Sequence, residues 1–466
     1  MQRIAVNGQG TFNFTDPMEI VSRVCVPLRP IHYLGSKLRI VDLIREVVDA
    51  VDASGGPVCD LFAGSGTVSR ELSTSRAVVA VDIQEYSRVL CSALLNPPCV
   101  TKDAVKQFLD RAFSSEHACR LSWAIEPMVS YEASCLHQAE IGDVEPLCQL
   151  LEDASIISFE HGARRFKDAE LHSVLKETVS RLRDTGLVNT PSSMTTRYFG
   201  GIYFSYNQAS QIDMLLEAAI SLPLSKRDTF LAAILSTASE VVNTVGKQFA
   251  QPIRPRFSDG RPKPNLSERI ARDRTIDAGN VFNTWLARYL AIRPSGREHR
   301  VIRSDYGDAL DSLEDQVSVI YADPPYTRDH YSRYYHVLET LCLRDCPTVS
   351  TVRIDGDHRI SRGIYRSDRY QSPFCIKSKA PHAFSTLFAK VRCLNVPLVV
   401  SYSPFEKNTG ARPRLMAIKD IVELAYKLFR FVEVVSAGRI AHSKLNRSDM
   451  NKAVSYGAET FLICKP

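Results

Sequence analysis

Between Val58 and Asp82 the chain passes from an apolar segment through a glycine turn into a helix and back into a second apolar segment. Few folds admit that order. Val58, Cys59, Asp60, Leu61 and Phe62 read as a buried strand. Ala63-Gly64-Ser65-Gly66-Thr67 then turns directly into a helix carrying Val68 and Leu72. Glycines at such a turn permit positive φ and close approach of the backbone to a ligand. Ala77 to Val81 is a second strand, with Asp82 at its tip. Strand, glycine loop, helix and strand open a doubly wound α/β sheet that binds a nucleotide-like molecule. The loop is G-x-G without a third glycine, so a pyrophosphate is not demanded. An acid at the second tip hydrogen-bonds ribose hydroxyls in this architecture; the other reading of Asp82 is a solvent-facing turn residue.

Upstream, Gly35 and Ser36 make a turn, and Leu38, Val41, Ile44, Val47, Val48 and Val51 follow at helical spacing. Lys37 therefore sits near a helix start, which favours anions, or else merely belongs to an ordinary capped helix. Tyr86–Leu95 reads as the next helix, stopped by Asn96-Pro97-Pro98. From about 101 to 297 the strand–helix rhythm breaks. Candidate helices are Ala104–Phe113, Leu147–Ile157, Leu171–Leu182, Ile212–Ile220 and Phe230–Val242. Val301, Ile302 and Arg303 resume a strand, with Asp305 and Asp308 in the turn behind it. Pro397–Tyr402 and Glu459–Cys464 are late strands, and Ile418–Leu428 is a helix.

A second feature sits where Val317, Val319 and Ile320 end in Tyr321-Ala322-Asp323-Pro324-Pro325-Tyr326. Proline cannot continue a ladder, so the strand stops there. Two prolines stiffen the corner, because the residue before each is held out of the helical region. The corner can hold the Asp323 carboxylate and the Asp323 and Pro324 carbonyls at fixed separations from the Tyr326 ring. Two adjacent acceptors suit a planar exocyclic amino group, and an aromatic face suits its ring, as in a nucleobase drawn out of a helix. The bland alternative is a strand-ending turn whose Tyr packs in the core.

With 466 residues the chain has room for two domains. No apolar run reaches membrane-span length, and Met1-Gln2-Arg3 begins no secretion signal. The twelve cysteines are scattered without a Cys-x-x-Cys pair, which predicts reduced thiols in a cytoplasmic protein and no zinc or other metal. The net charge of +6 is unevenly spread. Arg254, Arg256, Arg261, Lys263, Arg269, Arg272 and Arg274 form one basic cluster; Arg353, His358, Arg359, Arg362, Arg366 and Arg369 form another. Each reads as a phosphate-binding footprint or as a solvated face. The aromatic run Tyr198-Phe199 to Tyr203-Phe204 reads as a nucleic-acid surface or as local packing.

Together these residues resemble the Dam-like (D12 class) adenine-specific DNA methyltransferases. Tyr33-Leu34-Gly35-Ser36-Lys37 is similar to the motif ahead of the cofactor loop. Asp60-Leu61-Phe62-Ala63-Gly64-Ser65-Gly66-Thr67 is similar to the S-adenosylmethionine loop, and Asp82 to the ribose contact. Asp323-Pro324-Pro325-Tyr326 is similar to the signature at the reacting amine. Tyr334–Thr340 and Asn243-Thr244-Val245-Gly246 resemble a branch of longer members.

The resemblance implies a Rossmann-like methyltransferase sheet over 29–100 and 300–466, an arm over 1–28, and a large, mostly helical target-recognition insertion over 101–299. It implies catalysis by Asp323, Pro324, Pro325 and Tyr326. Cofactor contacts fall to Tyr33, Lys37, Asp60, Phe62, Ala63, Gly64, Gly66, Thr67, Asp82, Ile83 and one of Asp305 and Asp308. Double-stranded DNA is the expected partner, held by Arg254, Arg256, Arg261, Lys263, Arg328 and Arg333, with a cognate restriction or defence component a further possibility. Methylation of cytosine N4 or of RNA, and a non-catalytic DNA-binding protein on a relic cofactor fold, remain the competing readings.

Overall fold

The computed structural model describes residues 28–162, 168–354, 357–403, 414–436 and 459–466. The expected arm lies outside them except for Leu28. The strands are β1 Val58–Asp60, β2 Val78–Asp82, β3 Arg300–Arg303, β4 Val319–Ala322, β5 Thr351–Ile354, β6 Asp357–Ile360, β7 Leu398–Tyr402, β8 Phe431–Ser436 and β9 Thr460–Lys465. Seven of them form one sheet in the order β3-β2-β1-β4-β7-β9-β8, and β5 pairs with β6 as a separate hairpin. β1, β2, β3, β4 and β7 run parallel, while β9 is antiparallel to both neighbours. This is a Rossmann-like sheet. Its strand order reverses between β1 and β4, which opens a crevice at their carboxyl ends.

Period-two alternation explains the layers. Val58, Val78, Ala80, Val319 and Tyr321 face one side, where Ile44 and Val48 of helix α1 (Val41–Val51) and Leu72 of α2 (Thr67–Leu72) cover them. Cys59, Val79, Val81, Ile320 and Ala322 face the other side. Both faces are apolar, so these strands read as continuous hydrophobic runs.

The next helix, α3 (Glu85–Leu95), leads into the insertion. There follow α4 Lys102–Ser114, α5 Glu116–Glu140, α6 Glu145–Asp153, α7 Ile156–Glu160, α8 Ala169–Asp184, α9 Met194–Phe199, α10 Tyr206–Ile220, α11 Leu224–Val241, α12 Leu266–Arg274 and α13 Ala278–Leu290. α14 Tyr306–Asp311, α15 Tyr331–Tyr334, α16 His336–Leu343, α17 Ala380–Leu394 and α18 Ile418–Tyr426 return to the sheet region. Leu310, Leu387, Phe388 and Ile421 of α14, α17 and α18 cover the second sheet face.

The insertion is mostly helical and its core is divided. Leu121, Met128, Leu147, Leu175 and Leu182 of α5, α6 and α8 gather in one cluster. Leu215, Ile234 and Phe282 of α10, α11 and α13 instead share a cluster with Val89 and Leu90 of α3 and Leu338 of α16. The later insertion helices are thus packed onto α3 and α16, the helices beside the sheet. The aromatic run Tyr198, Phe199, Tyr203 and Phe204 is buried in that same cluster, so local packing describes it. The five expected helices are present, with Leu147–Ile157 divided at Ala154 and Ser155 between α6 and α7. The 25-residue α5 was not expected; buried Pro127 lies inside it, where the proline reads as a helix stop.

Candidate active site

The crevice at the ends of β1, β2 and β4 deepens into a cavity of about 1040 Å³, including its open mouth. Three strand ends each deliver a carboxylate to it: Asp60, Asp82 and Asp323. The glycine loop forms its floor. Gly64 has φ +54, and a Cβ there would lie 2.5 Å from the Tyr33 hydroxyl oxygen. Gly66 caps α2 with φ 75, and a Cβ there would lie 2.8 Å from Leu94 Cδ1. Both positions therefore require glycine. Tyr33 is itself fixed by stacking on Tyr335, with ring centroids 5.1 Å apart and planes at 11°.

Asp82 accepts backbone N–H from Gly64 and from Gln84, each at 2.9 Å. It thereby joins the loop to the start of α3. That helix is capped from afar: both Glu339 oxygens accept its first N–H groups, from Glu85 and Tyr86, at 3.0 Å. The Tyr334–Thr340 stretch thus earns a role, because its carboxylate holds the turn that follows Asp82. Asp60 accepts the Ser69 hydroxyl at 2.6 Å. Across the cavity Asp305 caps Gly307 N at 2.9 Å and accepts the Tyr370 hydroxyl at 2.8 Å. Phe62, Tyr306 and Phe374 form an aromatic group beside it, with centroids 5.1 to 5.8 Å apart.

At the proline corner, Lys37 Nζ lies 3.1 Å from Asp323 Oδ1 and 2.9 Å from Glu459 Oε1. Glu459 also accepts the Ser401 hydroxyl at 2.8 Å. One ammonium therefore serves two carboxylates, Glu459 buried and Asp323 partly exposed to the cavity. Burial pushes the Asp323 carboxyl up to about 6; Lys37 opposes this and Glu459 adds to it. Burial works against the Lys37 charge, but Asp323 and Glu459 outweigh it and keep the ammonium charged. Burial raises Asp60 to about 7 against the Ser69 hydrogen bond, and raises Asp82 as well. Lys37 is the one lysine or arginine on the wall among the described residues. The cavity is therefore short of positive charge, and its carboxylates favour a ligand that carries cationic and hydroxyl groups. S-adenosylmethionine has both.

Of the sequence-expected residues, Tyr33, Lys37, Asp60, Phe62, Ala63, Gly64, Thr67, Asp82, Ile83, Asp305, Asp323 and Pro325 line this one cavity. Gly66, Pro324, Tyr326 and Asp308 do not. Asp308 is exposed on α14, whereas Asp305 faces the cavity. Tyr326 sits behind the corner, 4.8 Å below the Arg414 guanidinium and 5.0 Å from the Tyr402 ring. Arg254, Arg256, Arg261 and Lys263 lie on the insertion and do not line the cavity. Arg256 is paired with Glu145 and Glu152, and Arg261 with Asp259. Lys263 stands 6.0 Å from the Phe257 ring, and Arg254 is exposed. In the same basic run Arg274 is buried, donating to Glu132 at 2.5 Å and to the Gly201 carbonyl, so it belongs to the core. Arg328 is exposed near the cavity mouth beside His330, and Arg333 is exposed over Tyr365. Glu459, Ser401, Tyr370 and Glu339 were missed; only Glu339 had a sequence signal, the Tyr334–Thr340 stretch.

Comparison with known proteins agrees with the motifs. Residues 33–121 match the model of the D12 class N6 adenine-specific DNA methyltransferase family. That range holds the lysine motif, the glycine loop and Asp82; the Asp323 corner falls beyond it. The chain is 22% identical over 410 residues to Modification methylase LlaI of Lactococcus lactis subsp. lactis, covering 85% of this chain and 51% of the relative. It is 21% identical over 384 residues to Type II methyltransferase M.FokI of Planomicrobium okeanokoites, covering 80% and 44%. The chain spans about half the length of the curated relatives it matches.

Proposed function

We propose that this chain transfers a methyl group from S-adenosylmethionine to the N6 amino group of adenine in double-stranded DNA. The observation that carries the reading is the meeting of Asp323 and Pro325 with Gly64 and Asp82 on one cavity wall. The family match and the two methylase relatives support the chemistry.

The cofactor supplies an electrophilic methyl on sulfur. Asp82 takes the ribose hydroxyls, Asp305 and Ile83 take the base end, and Phe62 packs against it. Tyr33 and the glycine loop close over the rest. The adenine amine is a poor nucleophile because its lone pair is conjugated with the ring. The Asp323 carboxylate and the Pro324 carbonyl accept hydrogen bonds from its two N–H groups, which favours a pyramidal nitrogen and frees the lone pair. The methyl's bond to sulfur would break as its bond to nitrogen forms, and the surplus amine proton would pass to Asp323. Lys37 keeps Asp323 ionised and fixed. For Tyr326 to stack on the flipped base and offset an unstacking cost of a few kcal/mol, its ring must first come out from beside Arg414 and Tyr402. Arg328 and Arg333 contact the duplex near the cavity, and Arg254, Arg256, Arg261 and Lys263 on the insertion contact it further out. The catalytic sheet spans 29–100 and 300–466, and the insertion reads the target.

No helix among the described residues is long and apolar enough to cross a membrane. On this reading the protein acts on cytoplasmic DNA, with a restriction or defence component as a further partner.

The test is methylation of a random-sequence duplex library by the purified protein, with digestion to identify the modified base. N6-methyladenine at defined sites is expected. N4-methylcytosine, or modification of RNA alone, would transfer the reading to those substrates. DNA affinity without S-adenosylmethionine affinity would leave a binding protein on a relic fold.

A further inference from the structure

Beside the candidate active site the second basic cluster folds into something more specific than a charged face. Its members have different fates. Arg366 is buried and satisfied, with two 2.7 Å bonds to Asp345 and two more to Asp368. Arg362 donates to the Ile253 carbonyl. Arg369 and Arg333 have no carboxylate within ion-pair distance among the described residues. Both pack on one ring: their guanidinium carbons lie 5.0 and 4.8 Å from the Tyr365 centroid. Tyr365 cannot swing away, because its hydroxyl donates to the Ala250 carbonyl and accepts from Arg333 Nη2 at 3.3 Å. Arg369 Nη1 is buried without a hydrogen-bond partner.

Two guanidinium groups held near each other, one with an orphaned donor, repel unless an anion joins them. Burial and the Arg333 charge both disfavour the Arg369 cation, in that order. The same charges bear on the two histidines nearby: burial first, then Arg369 and Arg333 among their neighbours, depress His330 and His336. Arg369 lines a second cavity of about 690 Å³ that shares Ile83, Gln84, Ser332 and Tyr370 with the first. The unpaired charge thus borders the first cavity on the side of Ile83, Gln84 and Tyr370, away from the Asp323 corner. Guanidinium forks match phosphate oxygens, and an aromatic ring that carries them fixes their direction.

We propose that Arg333 and Arg369, mounted on Tyr365, grip a backbone phosphodiester of the substrate DNA beside the cavity. The inference rests on the DNA reading above and adds residues and a ligand group to it. Arg369 was seen in the sequence only as one of a basic run, and Tyr365 not at all.

The test uses the full chain with Arg333→Gln, Arg369→Gln and the double variant. Binding of a fluorescent duplex is read by anisotropy over a salt series, and S-adenosylmethionine affinity is measured beside it. The log-affinity against log-salt slope should shrink by roughly 0.9 per lost phosphate contact. Binding should weaken about five- to twentyfold per variant, with cofactor affinity unchanged within about twofold. Arg333→Lys should restore the slope, though less of the affinity, since charge returns without the fork. If Arg369→Gln fails to fold, the exposed Arg333 carries the test alone. An unchanged slope overturns the proposal. So does a parallel fall in cofactor affinity, which would place the pair on the cofactor. Competition by inorganic phosphate with an unaltered duplex slope in the variants would also overturn it, leaving a simple anion site. Because these readouts are binding measurements, a chain that binds duplex with the predicted slopes yet methylates nothing would sink the methyl-transfer reading and leave this one standing.

Discussion

The Lys37 ammonium stands 3.1 Å from Asp323 and is claimed at the same time by Glu459 at 2.9 Å. Asp323 is therefore only half neutralised. Removing it should leave Lys37 paired with Glu459 and the cavity otherwise intact. Asp323→Ala is expected to abolish methyl transfer while cofactor affinity stays within about threefold, since its carboxylate acts on the reacting amine and not on cofactor binding. Methyl incorporation into DNA and calorimetric titration with the cofactor check the two halves; full activity in the variant would refute the assignment.

The same geometry sets a pH dependence with two opposite signs. The folded Asp323 carboxyl keeps its proton up to about pH 6, above its ordinary 3.8. Between those values the folded chain binds more protons than the unfolded one, so this group's contribution to stability is lost as pH rises through the window. Methyl transfer needs the ionised form and should rise through about pH 6. Asp323→Asn is expected to flatten the stability curve between about pH 4 and 6 in denaturant titrations. A rate profile flat from pH 5 to 8 would contradict this.

Lys37→Met leaves two carboxylates facing each other in a buried site. Breaking a buried ion cluster on one side costs about 3–5 kcal/mol. The midpoint of urea unfolding at neutral pH should fall accordingly, and residual activity should need a higher pH than wild type. Loss of activity with unaltered stability and unaltered pH profile would show that Lys37 acts on substrate alone.

Gly64→Ala places a methyl 2.5 Å from the Tyr33 hydroxyl at a backbone φ of +54. Cofactor affinity should drop by about tenfold or more, for about 1 kcal/mol of stability. The paired variant Tyr33→Phe, Gly64→Ala removes the nearest clash but neither the strain nor the ring, and should recover part of the affinity. Equal losses in the single and double variants would locate the whole effect in the backbone.

Glu339→Ala uncaps α3 at two N–H groups. A lost cap costs about 0.5–2 kcal/mol. Because the Asp82 turn precedes those groups, the KM for cofactor should rise more than kcat falls. An unchanged KM would make Glu339 a purely structural cap.

The parallel core was legible because β1, β2 and β4 are apolar on both faces and the glycine loop admits little else. Part of the cavity was legible for the same reason: Asp60, Asp82 and Asp323 stand at strand tips and Ala63, Gly64 and Thr67 in that loop. Edges were not. β8 is exposed at Phe431, Glu433, Val434 and Ser436 and fully buries only Val432, so it lacks the alternation that marks a strand, and the β5–β6 hairpin carries Arg353, His358 and Arg359, which read as part of a basic cluster. Long-range pairing was also invisible. Arg274 stood in a basic run and is buried on Glu132; Glu459 opened an ordinary late strand and proves to be the third member of the Lys37 cluster. Periodicity reports what faces a core, but not which charge will be met there from a distant part of the chain.

Lys37 and Glu459 are separated by 422 residues along the polypeptide, and β9 brings Glu459 in by wedging between two strands already made. On a ribosome adding about 5–20 residues per second, the interval between them is roughly 20 to 80 s. Through that interval a nascent chain can hold its glycine loop, and later its proline corner, but not the carboxylate that completes them. The Lys37 cluster is therefore completed only after nearly the whole polypeptide has been made.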